Sequence, residues 1–279
     1  MDAKSLRKIL VRIAGETAGY LRDIVDQHDL AEAIGKGAAG DTTHRADKIA
    51  EETIIDLVRR EDLPAKIVTE EGGIINVTTN PEYLLIIDPL DGSMNYLSKI
   101  PYAAVSLAIS RIDNPVNTGI LAGAIANIFL KEIYSFDDEY AYIDNTPILP
   151  DSLKPSVSNI VIVYTKTPSF FNLMKDFFTT HLPQGRLRVL GSASLELVYT
   201  GLNRILLFIN NMGSLRNLDI VAAIKFAEKL GKKITDIHGN PIFFRVDEIV
   251  RIDSIVVGEK HFVDKLISFI KAKEYAQVF

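Results

Sequence analysis

The chain has 279 residues, 47% of them apolar and 24% charged, with a formal net charge of -5. This composition excludes a disordered chain, the acidic balance argues against non-specific nucleic-acid binding through clustered Lys and Arg, and the lack of cysteine excludes disulfides, thiolate metal sites and cysteine nucleophiles. No basic segment followed by an apolar run opens the chain, and the longest nearly apolar stretch, Gly119 to Leu130, is too short to span a bilayer. A cytoplasmic protein with no membrane partner is expected.

Apolar residues at Leu6, Ile9, Leu10, Ile13, Leu21, Ile24 and Val25 recur at three- and four-residue steps and predict an amphipathic helix. Gly35, Gly37 and Gly40 break that pattern, so a flexible loop is expected before a second helix through Ala46, Ile49, Ala50, Ile54, Ile55 and Val58. Beyond Pro64 the spacing predicts strands at Ile67 to Thr69, Tyr83 to Asp88, Val105 to Ser110 and Gly119 to Asn127. After Pro147, Pro150 and Pro155 strands alternate with helices. Strands are expected at Ile160 to Tyr164, Leu187 to Leu190, Ile205 to Ile209 and Ser254 to Val257. Helices are expected at Phe170 to Phe178, Ser194 to Tyr199, Ile220 to Leu230 and from Glu259 to about Lys271. The length suggests two domains, an α+β unit over residues 1–146 and a smaller α/β unit over residues 147–279.

The segment Ile86-Ile87-Asp88-Pro89-Leu90-Asp91-Gly92-Ser93 ends an apolar strand with two acids three residues apart and a Gly-Ser turn. Carboxylates and a backbone carbonyl are hard oxygen donors suited to Mg²⁺, and the N–H groups of Gly92 and Ser93 suit a phosphate. An Asx-type turn closing the strand explains the same residues. Glu70 and Glu71 also follow a strand, where side-chain alternation turns one inward and the other to water; a solvated acidic turn is the plain alternative. Asp41 and Asp47 bracket the start of the second helix, where Asp41, Thr42 or Thr43 would be a routine N-cap. Asp219, just before Ile220, reads equally as a cap or a metal ligand. The five histidines show no metal-ligand spacing.

Together these segments resemble the inositol monophosphatase superfamily, whose pattern is a glutamate pair, then Asp-Pro-hydrophobic-Asp-Gly-Thr/Ser, then a distant Asp-hydrophobic-Ala-Ala. Here they read Thr69-Glu70-Glu71-Gly72, Asp88 to Ser93, and Asp219-Ile220-Val221-Ala222-Ala223. Lys36, Asp47 and Arg188-Val189-Leu190-Gly191-Ser192-Ala193 also match. The resemblance implies a layered αβαβα sandwich, combining α+β and α/β parts, that assembles as a homodimer or a tetramer. It implies two or three Mg²⁺ ions per site, replaceable by Mn²⁺, held by Glu70, Asp88, the Leu90 carbonyl, Asp91 and Asp219. Asp91, Gly92, Ser93, Arg188, Gly191, Ser192, Ala193 and Arg216 would face the substrate. Glu70, Asp47 and Ser93 would serve the attacking water, and Lys36 would ride on a mobile loop.

Two departures bear on function. Ser93 stands where the family more often has threonine, which keeps the hydroxyl and loses a methyl group. Met212 stands where the animal inositol enzymes have a substrate-binding glutamate, and Arg216 follows it, so this stretch looks more like the archaeal-type enzymes that accept both fructose 1,6-bisphosphate and inositol 1-phosphate. The expected activity is therefore Mg²⁺-dependent hydrolysis of a small phosphorylated sugar or cyclitol by metal-activated water. The alternatives are a nucleotide phosphatase acting on 3′-phosphoadenosine 5′-phosphate and a non-catalytic metal-binding regulator.

Overall fold

The computed structural model describes residues 1–38, 40–155 and 159–276. Helix α1 (Ala3–Ile24) leads to a hairpin of β1 (Ala33–Lys36) and β2 (Thr42–His44), then to α2 (Arg45–Arg60). There follow β3 (Ala65–Thr69), β4 (Gly73–Asn76), β5 (Tyr83–Asp91), the short α3 (Ser93–Leu97), β6 (Ala104–Arg111), β7 (Ile120–Asn127), β8 (Ile133–Phe136), β9 (Ala141–Ile143) and β10 (Thr146–Ile148). The remainder is β11 (Ile160–Thr165), α4 (Pro168–His181), β12 (Arg186–Arg188), α5 (Ala193–Gly201), β13 (Leu207–Asn211), β14 (Leu215–Arg216), α6 (Asn217–Lys229), β15 (Lys233–Thr235), β16 (Arg251–Ile252), β17 (Ile255–Gly258) and α7 (Lys260–Ala276).

Eight strands form one sheet in the order β10-β9-β8-β7-β6-β5-β3-β4, in which only the β3–β5 pair is parallel. Five strands form a second sheet, β12-β11-β13-β17-β15, with β11 parallel to both its neighbours. Side-chain alternation along the strands explains the layering. On β5, Tyr83, Leu85 and Ile87 join a core with α1 and α2, while Leu84 and Ile86 face α5 and α6. On β13, Phe208 faces that same middle core, whereas Leu207 and Ile209 pack with Phe177 of α4 and Leu266 of α7. Both sheets are thus covered on both faces, which is why their strands read as nearly continuous apolar runs. The outcome is the expected αβαβα sandwich, with the middle core shared by the two sheets. Phe208→Ala, emptying a fully buried position there, would destabilise the chain by about 3–5 kcal/mol.

Three local features differ from the sequence reading. The glycine-rich stretch expected to be a flexible loop contains the β1–β2 hairpin, with Ala33 opposite His44 and Lys36 opposite Thr42. Strand β5 runs on to Asp91 rather than ending at Asp88, with its pairing to β6 shifted between those two acids. Helix α2 begins at Arg45 and its N-cap is His44, not Asp41, Thr42 or Thr43. Among the described residues no helix is long and apolar enough to cross a membrane.

Candidate active site

Because β3 and β5 lie parallel and adjacent, their ends point the same way. Glu70 follows the last residue of β3, and Asp88 lies near the end of β5. Helix α6 brings Asp219 to them from the other sheet's side of the molecule. One carboxylate oxygen from each of Glu70, Asp88 and Asp219 lies within 4.8 Å of the others. Burial pushes Asp88 well above the usual carboxylate range, and the neighbouring charges of Asp91, Glu70 and Asp219 add to it. Burial raises Glu70 and Asp219 as well, against the opposing pull of Arg216. Acids gathered this closely need a cation to stay ionised. Their donors are all oxygen, which fits Mg²⁺ or Mn²⁺.

Asp219 is the third residue of α6, and its Oδ2 accepts the Arg216 backbone N–H at 2.7 Å. The cap and ligand readings are therefore compatible, since each carboxylate oxygen has a second lone pair. Asp47 has the same place in α2: its carboxylate accepts the His44 N–H at 2.8 Å. It is buried, and burial pushes it up to about 6, with the charge of Glu70 adding to the rise. Glu71 turns away from Glu70 to accept the Thr43 hydroxyl, and burial pushes it up to about 7.

Asp91 joins the two halves. It accepts the Ser192 hydroxyl at 2.6 Å, the Ala193 N–H at 3.1 Å, the Ser194 N–H at 2.8 Å and the Ser194 hydroxyl. Ser192 and Ala193, expected at the substrate, thus direct their donors to Asp91. The approach of the halves requires glycine at two points. Gly92 has φ of 85°, and a Cβ there would meet the Gly191 and Tyr102 carbonyl oxygens at 3.0 Å. Gly191 has φ of 87°, and its Cβ would meet Asn95 Nδ2 at 3.0 Å.

These residues enclose a cavity of about 260 Å³, bordered by Glu70, Asp88, Leu90, Asp91, Gly92, Ser93, Gly191, Ala193, Arg216 and Asp219. Asp47 lies outside that lining. Arg216 is in it, but its guanidinium is already engaged: Nη1 donates to Glu70 at 2.5 Å and Asp41 at 3.1 Å, and Nε to Asp219 at 3.0 Å. Arg188 is placed apart, donating to the Leu187 carbonyl at 2.7 Å and lining a different hollow with Arg186 and Asn159. Lys36 is exposed on β1. The sequence reading missed Tyr164, Asn210 and Ser214 on the cavity wall. The first two lie near the C-terminal ends of the parallel pair β11 and β13, where α/β sheets place their sites. It also missed Glu196, an acid on α5 that burial pushes up to about 8.

Residues 2–268 match the model of the inositol monophosphatase family. The chain belongs to the inositol monophosphatase family. It is 34% identical over 270 residues to the inositol-1-monophosphatase of Aeropyrum pernix, covering 92% of this chain and 94% of that protein. It is 28% identical to the fructose-1,6-bisphosphatase/inositol-1-monophosphatase of Archaeoglobus fulgidus, over 94% of this chain and 98% of the relative. A bifunctional NADP phosphatase/NAD kinase of Methanocaldococcus jannaschii is 25% identical, over 94% of this chain and 50% of that protein. The fold is shared with the crystal structure of the extragenic suppressor protein suhB of Bartonella henselae, at a TM-score of 0.76 and 22% identity, over 96% of this chain and 98% of that one. This inositol monophosphatase family member is accordingly a phosphoric monoester hydrolase, of a family that is metal-dependent in general.

Proposed function

We propose that this phosphatase hydrolyses fructose 1,6-bisphosphate and inositol 1-phosphate in the cavity between its two sheets. The observation that carries this reading is the convergence of Glu70, Asp88 and Asp219, from three separate elements, on one region of that cavity. Mg²⁺ would be held there by these three carboxylates, the Leu90 carbonyl and Asp91. When bound, the ions supply Lewis-acid polarisation of the phosphoryl group, a more acidic water and charge neutralisation at the leaving oxygen.

The chain's own residues do the rest. Gly92 and Ser93 border the cavity and present the start of α3 to the phosphate, while the left-handed Gly92 lets the Gly191 and Tyr102 carbonyls approach behind it. The Ser93 hydroxyl orients the attacking water, and Asp47, outside the cavity lining, helps to orient it from beside Glu70, whose charge it feels as a repulsion. Arg216 balances the acids, which holds Glu70 and Asp219 in place between turnovers. Positioning and charge stabilisation of this kind suffice for phosphoryl transfer, so no protein nucleophile is needed.

A nucleotide phosphatase is the second reading. Tyr164 and Met212 give the cavity wall apolar surface against which a base could stack, and one relative bears the name of an NADP phosphatase. Phosphate release from fructose 1,6-bisphosphate, inositol 1-phosphate, 3′-phosphoadenosine 5′-phosphate and NADP, each with Mg²⁺, Mn²⁺ and EDTA, separates them. Release from the first two that EDTA abolishes is the expected result. Release from the nucleotides alone would replace the sugar reading with the second, and no release at all would leave a metal-binding regulator.

A further inference from the structure

We propose that Glu196 is a positioning residue for this reaction, fixing the segment 190–193 against Asp91 and thereby the wall of the cavity. The proposal deepens the phosphatase reading and rests on it. Glu196 is fully buried on α5 and touches no part of the cavity directly. Its Oε1 accepts the Leu190 N–H at 2.7 Å and the Tyr164 hydroxyl at 2.9 Å. The same Tyr164 oxygen accepts the Gly191 N–H at 3.0 Å. One carboxyl group therefore controls two consecutive peptide N–H groups, one directly and one through a tyrosine that itself lines the cavity. From the other half, Asn95 Nδ2 donates to the Leu190 carbonyl at 2.7 Å, so the segment is held from both sides.

The residues that follow immediately, Ser192, Ala193 and Ser194, deliver the four bonds that Asp91 receives. Any rotation of the peptide at Leu190 or Gly191 would turn those donors away. Stability alone does not account for the acid. Its second oxygen, Oε2, is buried with no hydrogen-bond partner among the described residues. A buried carboxyl satisfied on one side is less favourable than a packed apolar side chain of similar size. The shape that Glu196 imposes on residues 190–193 does account for it.

The test uses the full chain in three variants. Glu196→Gln keeps a carbonyl acceptor for Leu190 and Tyr164, Glu196→Leu removes it, and Tyr164→Phe cuts only the branch to Gly191. Turnover of fructose 1,6-bisphosphate and inositol 1-phosphate with Mg²⁺, thermal midpoint, and hydrogen exchange of the peptide spanning residues 189–195 are measured for each. Glu196→Gln should stay within about threefold of wild-type kcat, while Glu196→Leu should lose about tenfold or more in kcat with little change in KM. The leucine variant should keep or raise its thermal midpoint while residues 189–195 exchange faster. Tyr164→Phe should speed exchange in the same peptide, which decides the matter even if the leucine variant does not fold. Wild-type kcat and unchanged exchange in Glu196→Leu would overturn the proposal, as would equal losses in the glutamine and leucine variants. If the wild-type chain releases no phosphate, the phosphatase reading fails by itself, and exchange in residues 189–195 still supports or overturns the positioning.

Discussion

Arg216 and Glu70 are joined across the cavity by an ion pair in which Nη1 donates to Oε1 at 2.5 Å, while Nε of the same guanidinium donates to Asp219 at 3.0 Å. A side chain engaged by two of the converging acids acts first in their charge balance, ahead of any contact with a second substrate phosphate. Arg216→Gln should therefore lose about tenfold or more in kcat/KM on fructose 1,6-bisphosphate and on inositol 1-phosphate alike. A markedly larger loss on the bisphosphate would assign the guanidinium to the non-reacting phosphate instead. In EDTA the variant should also be less stable by about 1–3 kcal/mol, the cost of leaving a part-buried partner unpaired. Urea unfolding in EDTA measures it.

Asp88 and Asp91 should answer differently to the same change. Asp88→Asn relieves like-charge crowding, and its amide oxygen still accepts the Leu90 N–H. It should cut turnover by about 100-fold or more, yet leave the thermal midpoint in EDTA unchanged or higher. Asp91→Asn would point an amide NH₂ at the donors of residues 192–194, so it should lower that midpoint as well as turnover. Equal midpoints in the two variants would mean that the Asp91 bonds do not hold the halves together.

The acids also set a pH dependence. Burial pushes Asp47 up to about 6 and Glu71 up to about 7, so the folded state holds these protons more tightly than the unfolded chain does. Their stabilising contribution is present below about pH 4, near the unfolded values, and is lost as pH rises through about 6 to 7. In EDTA the thermal midpoint should fall across that window. Mg²⁺ should counter the fall by favouring the ionised cluster. Calorimetry from pH 4 to 8 in both conditions checks this, and a flat profile in EDTA would contradict the assignment.

Adjacent glutamates provide an internal control. Glu70→Gln should abolish turnover. Glu71→Gln should be milder for turnover but should loosen the β1–β2 hairpin, because a neutral amide oxygen accepts the Thr43 hydroxyl more weakly than the Glu71 carboxylate does. Limited proteolysis should then cut the hairpin faster in Glu71→Gln than in Glu70→Gln, and the reverse order would place the wrong member of the pair at the cavity.

Helices α1 and α2 were legible because their apolar stripes pack on one continuous face of the first sheet, so period and burial coincide. The acids at the ends of β3 and β5 were legible because a strand that stops at an acid and a glycine is a local pattern. The β1–β2 hairpin was not, since its strands are short, largely exposed and rich in glycine and threonine, with no alternation to read. Nor were the partners of Asp91, which lie 101 to 103 residues away. Glu196 carries no local signal in the sequence, because only the return of residues 164, 190 and 191 to its side makes it a hub. Arg188 was expected at the cavity from its place in a matching run, yet its side chain leaves β12 toward a different hollow.

Three helices begin at or beside this cavity. Asp47 and Asp219 each accept the N–H of the residue that caps their own helix, and the first turn of α5 donates the N–H groups of Ala193 and Ser194 to Asp91. The amino terminus of a helix carries the equivalent of about half a positive charge from its aligned peptide dipoles. That charge is part of the backbone, so it neither titrates nor dissociates. A chelator removes ions and a change of pH moves protons, but the field from these three helix ends persists, and it offsets part of the negative charge that Asp47, Asp91 and Asp219 bring together in a protein whose net charge is -5.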